Sequence, residues 1–207
     1  MPTGVAMRDP RRQLFDAAEH ILLRDGPTAL TSRAVTTEAG CAKGVLHRHF
    51  ADFDAFLADL VLDRIARLDA LSDTLQAAAG TSTGSGSGSG SGSVVDHLTD
   101  ALIDVFDPVG IAVVSLVISR DELRARLRAA GSTGIPLMGE ASALLAAYLT
   151  AERDLGRLAP DADVTTLAPT LLGAAHLLFA DREAGPPERA AVRRTVTAVV
   201  AGALRDT

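Results

Sequence analysis

Apolar residues recur at spacings of three and four along nearly the whole chain, and the runs break at Gly, Pro and Asp-Pro steps. In residues 11–24, RRQLFDAAEHILLR, the set Leu14, Ala17, Ala18, Ile21 and Leu22 falls on one face of a helix. Asp25-Gly26-Pro27 stops that helix. Thr31 can cap a second short helix over SRAVTTEA, which Gly40 ends. A third covers roughly 42–48, and a long helix starts at the N-cap residue Asp52 and reaches about Ala79. Further helices are expected over Val94–Phe106, Arg120–Ala130, Pro136–Leu155, Asp163–Ala180 and Glu188–Leu204. Val109–Ile118 is apolar on all sides and would suit a buried helix or a buried strand, although no partner strand is visible. The chain holds 37 Ala and 28 Leu against 3% aromatics, a balance that favours helix over sheet.

The alternating Gly/Ser stretch 81–93 has no side chain to bury and reads as a flexible loop, natural or engineered, between helices. Residues 1–10 read as a flexible arm, and DREAGPPER as a solvated loop. Asp163–Ala180 is apolar nearly all round, with Leu167, Leu171, Leu172, Leu177, Leu178 and Phe179 spread over it. A helix of that kind needs covering on both sides, and in a chain this short a second subunit can supply one cover.

A single Cys, Cys41, excludes an internal disulfide. No apolar run approaches the ~20 residues that span a bilayer. Val109–Ile118 is flanked by Asp107 and Arg120, and MPTGVAMRDPRR has no signal-type apolar core, so a cytoplasmic location without membrane contact is expected. The net charge of -6 is unevenly placed: residues 1–50 carry seven Lys/Arg against five Asp/Glu, a net +2, leaving -8 for the remainder. A basic head on an acidic body suggests that the head meets a polyanion.

Residues 28–50, TALTSRAVTTEAGCAKGVLHRHF, place two short helices on either side of a tight Gly-containing turn, the helix-turn-helix arrangement. The second helix of such a pair fits the major groove of DNA. Val35, Ala39 and Leu46 would lock the helices together, with Lys43, Val45, His47, Arg48 and His49 outward. No acid lies between residues 39 and 51. Cys41, His47 and His49 do not make a metal site, because positions two apart on a helix point about 200° apart. No Gly-rich phosphate loop, metal spacing or nucleophile elbow is recognisable, so neither an enzyme nor a cofactor is expected.

GPTALTSRAVTTEAG, then KGVLHRHF leading into DFDAFLADLV, resembles the TetR family of bacterial one-component transcription regulators. The resemblance is strong over residues 11–60. It is weaker over 136–204, through AERDLGRLAPDADVTTLAPTLLGAAHLLF. It implies an all-α fold, with a three-helix DNA-binding head over residues 1–55 and an effector-binding and dimerisation bundle over 56–207. It places DNA contacts at Thr31, Ser32, Arg33, Ala42, Lys43, Gly44, Val45, His47, Arg48 and His49, and makes Phe50 a core aromatic. Three positions depart from the family pattern: His47 for Tyr, Thr36 for a small Ala, and Phe53 for a phosphate-gripping Lys.

The function so implied is a repressor, a homodimer paired through 163–180 and 188–204. It would bind a palindromic DNA operator and be released by a small effector. The aliphatic body suits an apolar or amphipathic molecule lined by Leu102, Phe106, Val113, Val117, Met138, Leu145, Tyr148 and His176. On an apolar helix, His176 reads as a satisfied core histidine before it reads as a ligand anchor. The second reading is an architectural DNA binder without an effector cavity.

Overall fold

The structure is a computed structural model that describes residues 9–79, 92–132, 134–180 and 185–205. Expectations for residues 1–8, for most of the Gly/Ser stretch and for 181–184 lie outside the described residues. The described residues form ten α-helices and no strand: α1 Pro10–Asp25, α2 Ser32–Glu38, α3 Gly44–His49, α4 Phe53–Ala79, α5 Val94–Val105, α6 Pro108–Ser119, α7 Asp121–Ala129, α8 Met138–Asp154, α9 Val164–Phe179 and α10 Arg189–Val200. A 3-10 turn, Pro27–Ala29, links α1 to α2. The ambiguous apolar segment is helix α6.

Packing divides the chain into two compact units, Met1–Arg64 with Pro108–Pro136, and Ile65–Asp107 with Leu137–Thr207. The sequence suggested a head ending at residue 55. By packing, the first unit runs on to Arg64 and takes in α6 and α7.

In the first unit, α1 turns Leu14, Phe15, Ala17, Ala18, Ile21 and Leu22 inward, the stripe expected from its spacing. Helix α1 packs against α2, α3 and α6. Phe15, Phe50 and Phe56 meet at ring-centroid distances of 5.0–5.9 Å, and Leu30, Val35 and Leu46 are fully buried beside them. Aromatic pairs of this kind add ~0.5–1.5 kcal/mol each beyond their area burial. Leu123 and Leu127 bury the inner side of α7.

In the second unit, α10 packs against α5 and α9, and α9 against α8. Ser93, the last residue of the low-complexity stretch, caps α5: the Asp96 N–H donates to Ser93 Oγ at 3.2 Å, and the Ser93 N–H donates back to Asp96. Arg189, where the expected loop DREAGPPER and the expected helix Glu188–Leu204 overlap, opens α10 and pairs with Asp100 at 2.8 Å. Glu152 is fully buried and paired with Arg157, whose guanidinium also donates to the Ala79 carbonyl. Such a pair fixes the loop after α8, since either charge left alone there would be costly.

One expectation is corrected. Helix α10 ends at Val200, not Leu204. The tail beyond it pairs instead: Leu204 forms an isolated antiparallel bridge with Leu158, Ala159 N–H donates to Ala203 O at 2.8 Å, and Arg205 N–H to Arg157 O at 3.2 Å. Helix α9 has one inner and one outer side. Leu171 is fully buried within the unit, whereas Leu177 is 77% exposed. Thr166, Thr170 and Gly173 share that exposed side.

Asp163 caps α9 by accepting from the N–H groups of Thr165 and Thr166 and from both threonine hydroxyls, the latter at 2.6 Å. Those hydroxyls, Thr165 foremost, hold its carboxyl down at about 2. A folded value below the unfolded one means that the ionised cap stabilises the fold above about pH 4 and loses that effect as the pH drops towards 2. Asp163→Ala should lower the melting temperature at neutral pH, with the gap to wild type narrowing in acid. A gap constant down to pH 2 would assign the loss to something other than the carboxylate.

Candidate nucleic-acid interface

The geometry of α2 and α3 follows from a cap, a turn and two buried side chains. The Ala34 N–H donates to Thr31 Oγ1 at 3.1 Å, so the expected N-cap forms. Gly40 adopts φ +63°, a left-handed conformation that a side chain would strain. The turn is closed by Cys41 N–H to Thr36 O at 3.0 Å. Val35 and Leu46 are fully buried and join the two helices, while Ala39 is only half-buried. The Phe50 N–H donates to Leu46 O at 2.9 Å, and the Phe50 ring enters the aromatic cluster, which anchors the end of α3.

Around that frame, Thr31, Arg33, Ala42, Lys43, Gly44, His47 and Arg48 are exposed, and Val45 and His49 half-buried. Apart from Ser32, the residues read as DNA contacts are therefore at least partly exposed. Ser32 differs, because its Oγ is buried and has no hydrogen-bond partner, so it is not offered to solvent. The departure at Thr36 is absorbed internally: the residue is buried, and its hydroxyl donates to Ser32 O and Arg33 O at 3.0 and 3.2 Å. Phe53 stacks on Phe56 at 5.7 Å.

Charge is sorted along the first unit. Arg11 pairs with Asp59 at 2.7 Å and lies 4.6 Å over the Phe50 ring. Arg12 pairs with Asp16 and Asp63. Arg24 pairs with Glu38 and Asp25, which raises its guanidinium well above the ordinary arginine value and occupies the single acid of α2. Among the described residues, Arg33, Lys43 and Arg48 make no ion pair. The cations of α1 are thus structural, and those of α2 and α3 are available to a polyanion. Sequence reasoning could not make that division, since it needs the positions of Asp59 and Asp63, about fifty residues along the chain.

Burial pushes the Cys41 thiol up, so it is a poor thiolate ligand at neutral pH. No group of three or more His, Cys, Asp or Glu is arranged to hold a metal among the described residues. Nor is any single helix there long and apolar enough to cross a membrane.

The residues read as effector lining are split. Val113 and Val117 are buried on α6, in the first unit. Leu102, Phe106, Leu145 and Tyr148 are buried in the second unit, with Met138 and His176 half-buried. Phe106 lies 5.7 Å from the His176 ring and stacks on Phe179 at 5.4 Å. The Tyr148 hydroxyl and His97 Nδ1 share a 2.9 Å hydrogen bond. His97 and Phe179 thus join a set that apolar periodicity alone did not assemble.

Residues 14–60 match the model of the bacterial regulatory proteins of the tetR family. A TetR transcriptional regulator from Agrobacterium tumefaciens is 20% identical, with 95% of each chain covered and a TM-score of 0.58. The fatty acid degradation regulator FadR from Bacillus halodurans is 15% identical, covering 96% of this chain and 98% of its own, with a TM-score of 0.69. FadR from Bacillus subtilis, solved in complex with stearoyl-CoA, is 15% identical over 92% and 98% of the two chains, with a TM-score of 0.68. No curated protein matches the chain. The all-helical fold and its N-terminal helix-turn-helix define a DNA-binding transcriptional regulator. The likeness to the tetR family lies in that N-terminal domain, residues 14–60.

Thr31→Ala removes the cap of α2 without touching the core. It should destabilise the protein by ~0.5–2 kcal/mol in chemical denaturation. No loss at all would show that Thr31 does not cap α2 in solution.

Proposed function

We propose that this regulator is a repressor that binds a palindromic operator as a homodimer and is released by an apolar or amphipathic small molecule. The observation that carries the DNA-binding half is that Arg33, Lys43 and Arg48 are exposed on and beside α2 and α3 and make no ion pair among the described residues. Lys43 sits at the start of α3, where it can reach a guanine edge, and Val45 beside it can meet a thymine methyl. Thr31, Arg33, His47 and His49 are assigned to phosphates, with Ala42 and Gly44 allowing close approach. The Ser32 hydroxyl is left out of this set because it is covered.

Dimerisation is assigned to the exposed side of α9 around Leu177, together with α10. A 77% exposed leucine beside Gly173 and Thr170 is apolar surface that a second copy would cover. Two recognition helices about one DNA turn apart, ~34 Å, then match an operator of the same symmetry.

The effector is assigned to the second unit, to the neighbourhood of Phe106, Tyr148 and His176, whose ring contact and hydrogen bond bring two imidazoles and one phenol into an otherwise apolar interior. Stearoyl-CoA bound by a protein of the same fold supports an amphipathic ligand. An effector that prefers another arrangement of the bundle would shift the population and so move the recognition helices.

Selection of DNA from a random pool by the full-length protein, followed by competition with a ligand panel, tests the reading. Lys43→Ala should weaken the selected site by ~1–3 kcal/mol, and Arg33→Ala should also weaken it, while Arg153→Ala should not. Release by no ligand would favour the architectural binder. For assembly, Leu177→Glu should give a folded monomer in sedimentation. A wild-type monomer at micromolar concentration would refute the dimer.

A further inference from the structure

The helix-turn-helix is gripped at both ends by arginines from a distant part of the chain. At its entry, Arg120 donates to the Leu30 carbonyl at 3.1 Å, one residue before the Thr31 cap. At its exit, Arg126 donates through both terminal nitrogens to the two carboxylate oxygens of Asp52, at 3.0 and 3.2 Å. Asp52 is itself the first-turn acceptor of α4, taking the Ala55 N–H at 2.6 Å. Arg120 also lies over the ring of Phe53, at 5.9 Å. One short stretch, 120–126, therefore holds the residue that precedes α2 and the residues that follow α3.

That stretch is itself stiff. Arg124 donates to the Val117 and Ile118 carbonyls at the end of α6 and pairs with Asp121 at the start of α7. Leu123 and Leu127 are fully buried beneath it. The end of α6 and the whole of α7 form one elbow, with a grip on each end of the segment 31–50. A bidentate arginine–carboxylate pair fixes direction as well as distance, which a lysine could not do.

We propose that Arg120 and Arg126 are positioning residues for DNA binding: they set the angle of the helix-turn-helix by holding its entry and exit. This rests on the DNA-binding regulator reading. The Asp52–Arg126 pair is solvent-exposed on both sides, so it adds little to global stability. Its contribution is to orientation.

The test uses full-length Arg120→Gln, Arg126→Gln and Asp52→Asn, the last keeping a capping oxygen. Three readouts are taken: melting temperature, amide hydrogen exchange, and affinity over a range of salt for pool-selected and for random DNA. Each variant should melt close to wild type, exchange faster across 31–50, and lose at least about fivefold on the selected DNA, the lower end of ordinary site-to-site coupling. Affinity for random DNA and the salt slope should stay the same. Arg126→Gln and Asp52→Asn should fall in the same direction, and the double variant little further. If simple charge were at work they would move in opposite directions, which would overturn the proposal. So would a salt slope reduced by about 0.9 in Arg126→Gln, the mark of a direct phosphate contact. A lower melting temperature with unchanged exchange in 31–50 would reduce both arginines to packing. Should wild type select no DNA at all, the DNA-binding reading fails, and hydrogen exchange alone decides the grip.

Discussion

Three phenylalanine rings hold the DNA-facing part of this molecule together. Phe50 follows a helix of only six residues, α3, which is far too short to persist by itself. Its ring meets those of Phe15 on α1 and Phe56 on α4, so the end of α3 is fixed to two long helices. Arg11 sits over the same Phe50 ring and reaches the His49 carbonyl, closing the polar side of the anchor. Without that anchor, Val35 and Leu46 would be the main joint between α2 and α3, and the exposed cations would have no fixed spacing to present.

The same economy governs charge. The acidic residues of α4 that neutralise Arg11 and Arg12 make the front of the unit depend on α2 and α3 for its free positive charge. An overall net charge of -6 then coexists with a small cationic face. Net charge speaks to solubility and long-range steering, whereas the local face decides where a phosphate can settle.

Much of this was legible in the sequence, for local reasons. Thr31, Gly40 and Asp52 are start and stop signals whose chemistry acts within a few residues, and all three act as read. The stripe of α1 is legible because a period of 3.6 is a property of one helix. What escaped reading was non-local. Nothing in residues 108–136 announces that they pack with the first unit, and nothing in Ser32 shows that its hydroxyl turns inward. Helix α9 shows the limit most clearly. Its apolar content implied two covered sides, yet Leu171 and Leu177 look alike in sequence, and only the packing of α8 and α10 tells the inner from the outer. The end of α10 was overrun because Ala203 and Leu204 continue its apolar period, while a pairing to Leu158 offers their backbone a better partner.

That pairing has a mechanical consequence. Helices α9 and α10 are joined by the chain at one end, and at the other the tail after α10 is stitched to residues 157–159, just ahead of α9. The two helices are therefore fastened to each other at that end by backbone pairing. Neither can slide along the other by a helical turn without breaking the stitch. A surface built from both would behave as a rigid plate, able to tilt as a whole but not to shear.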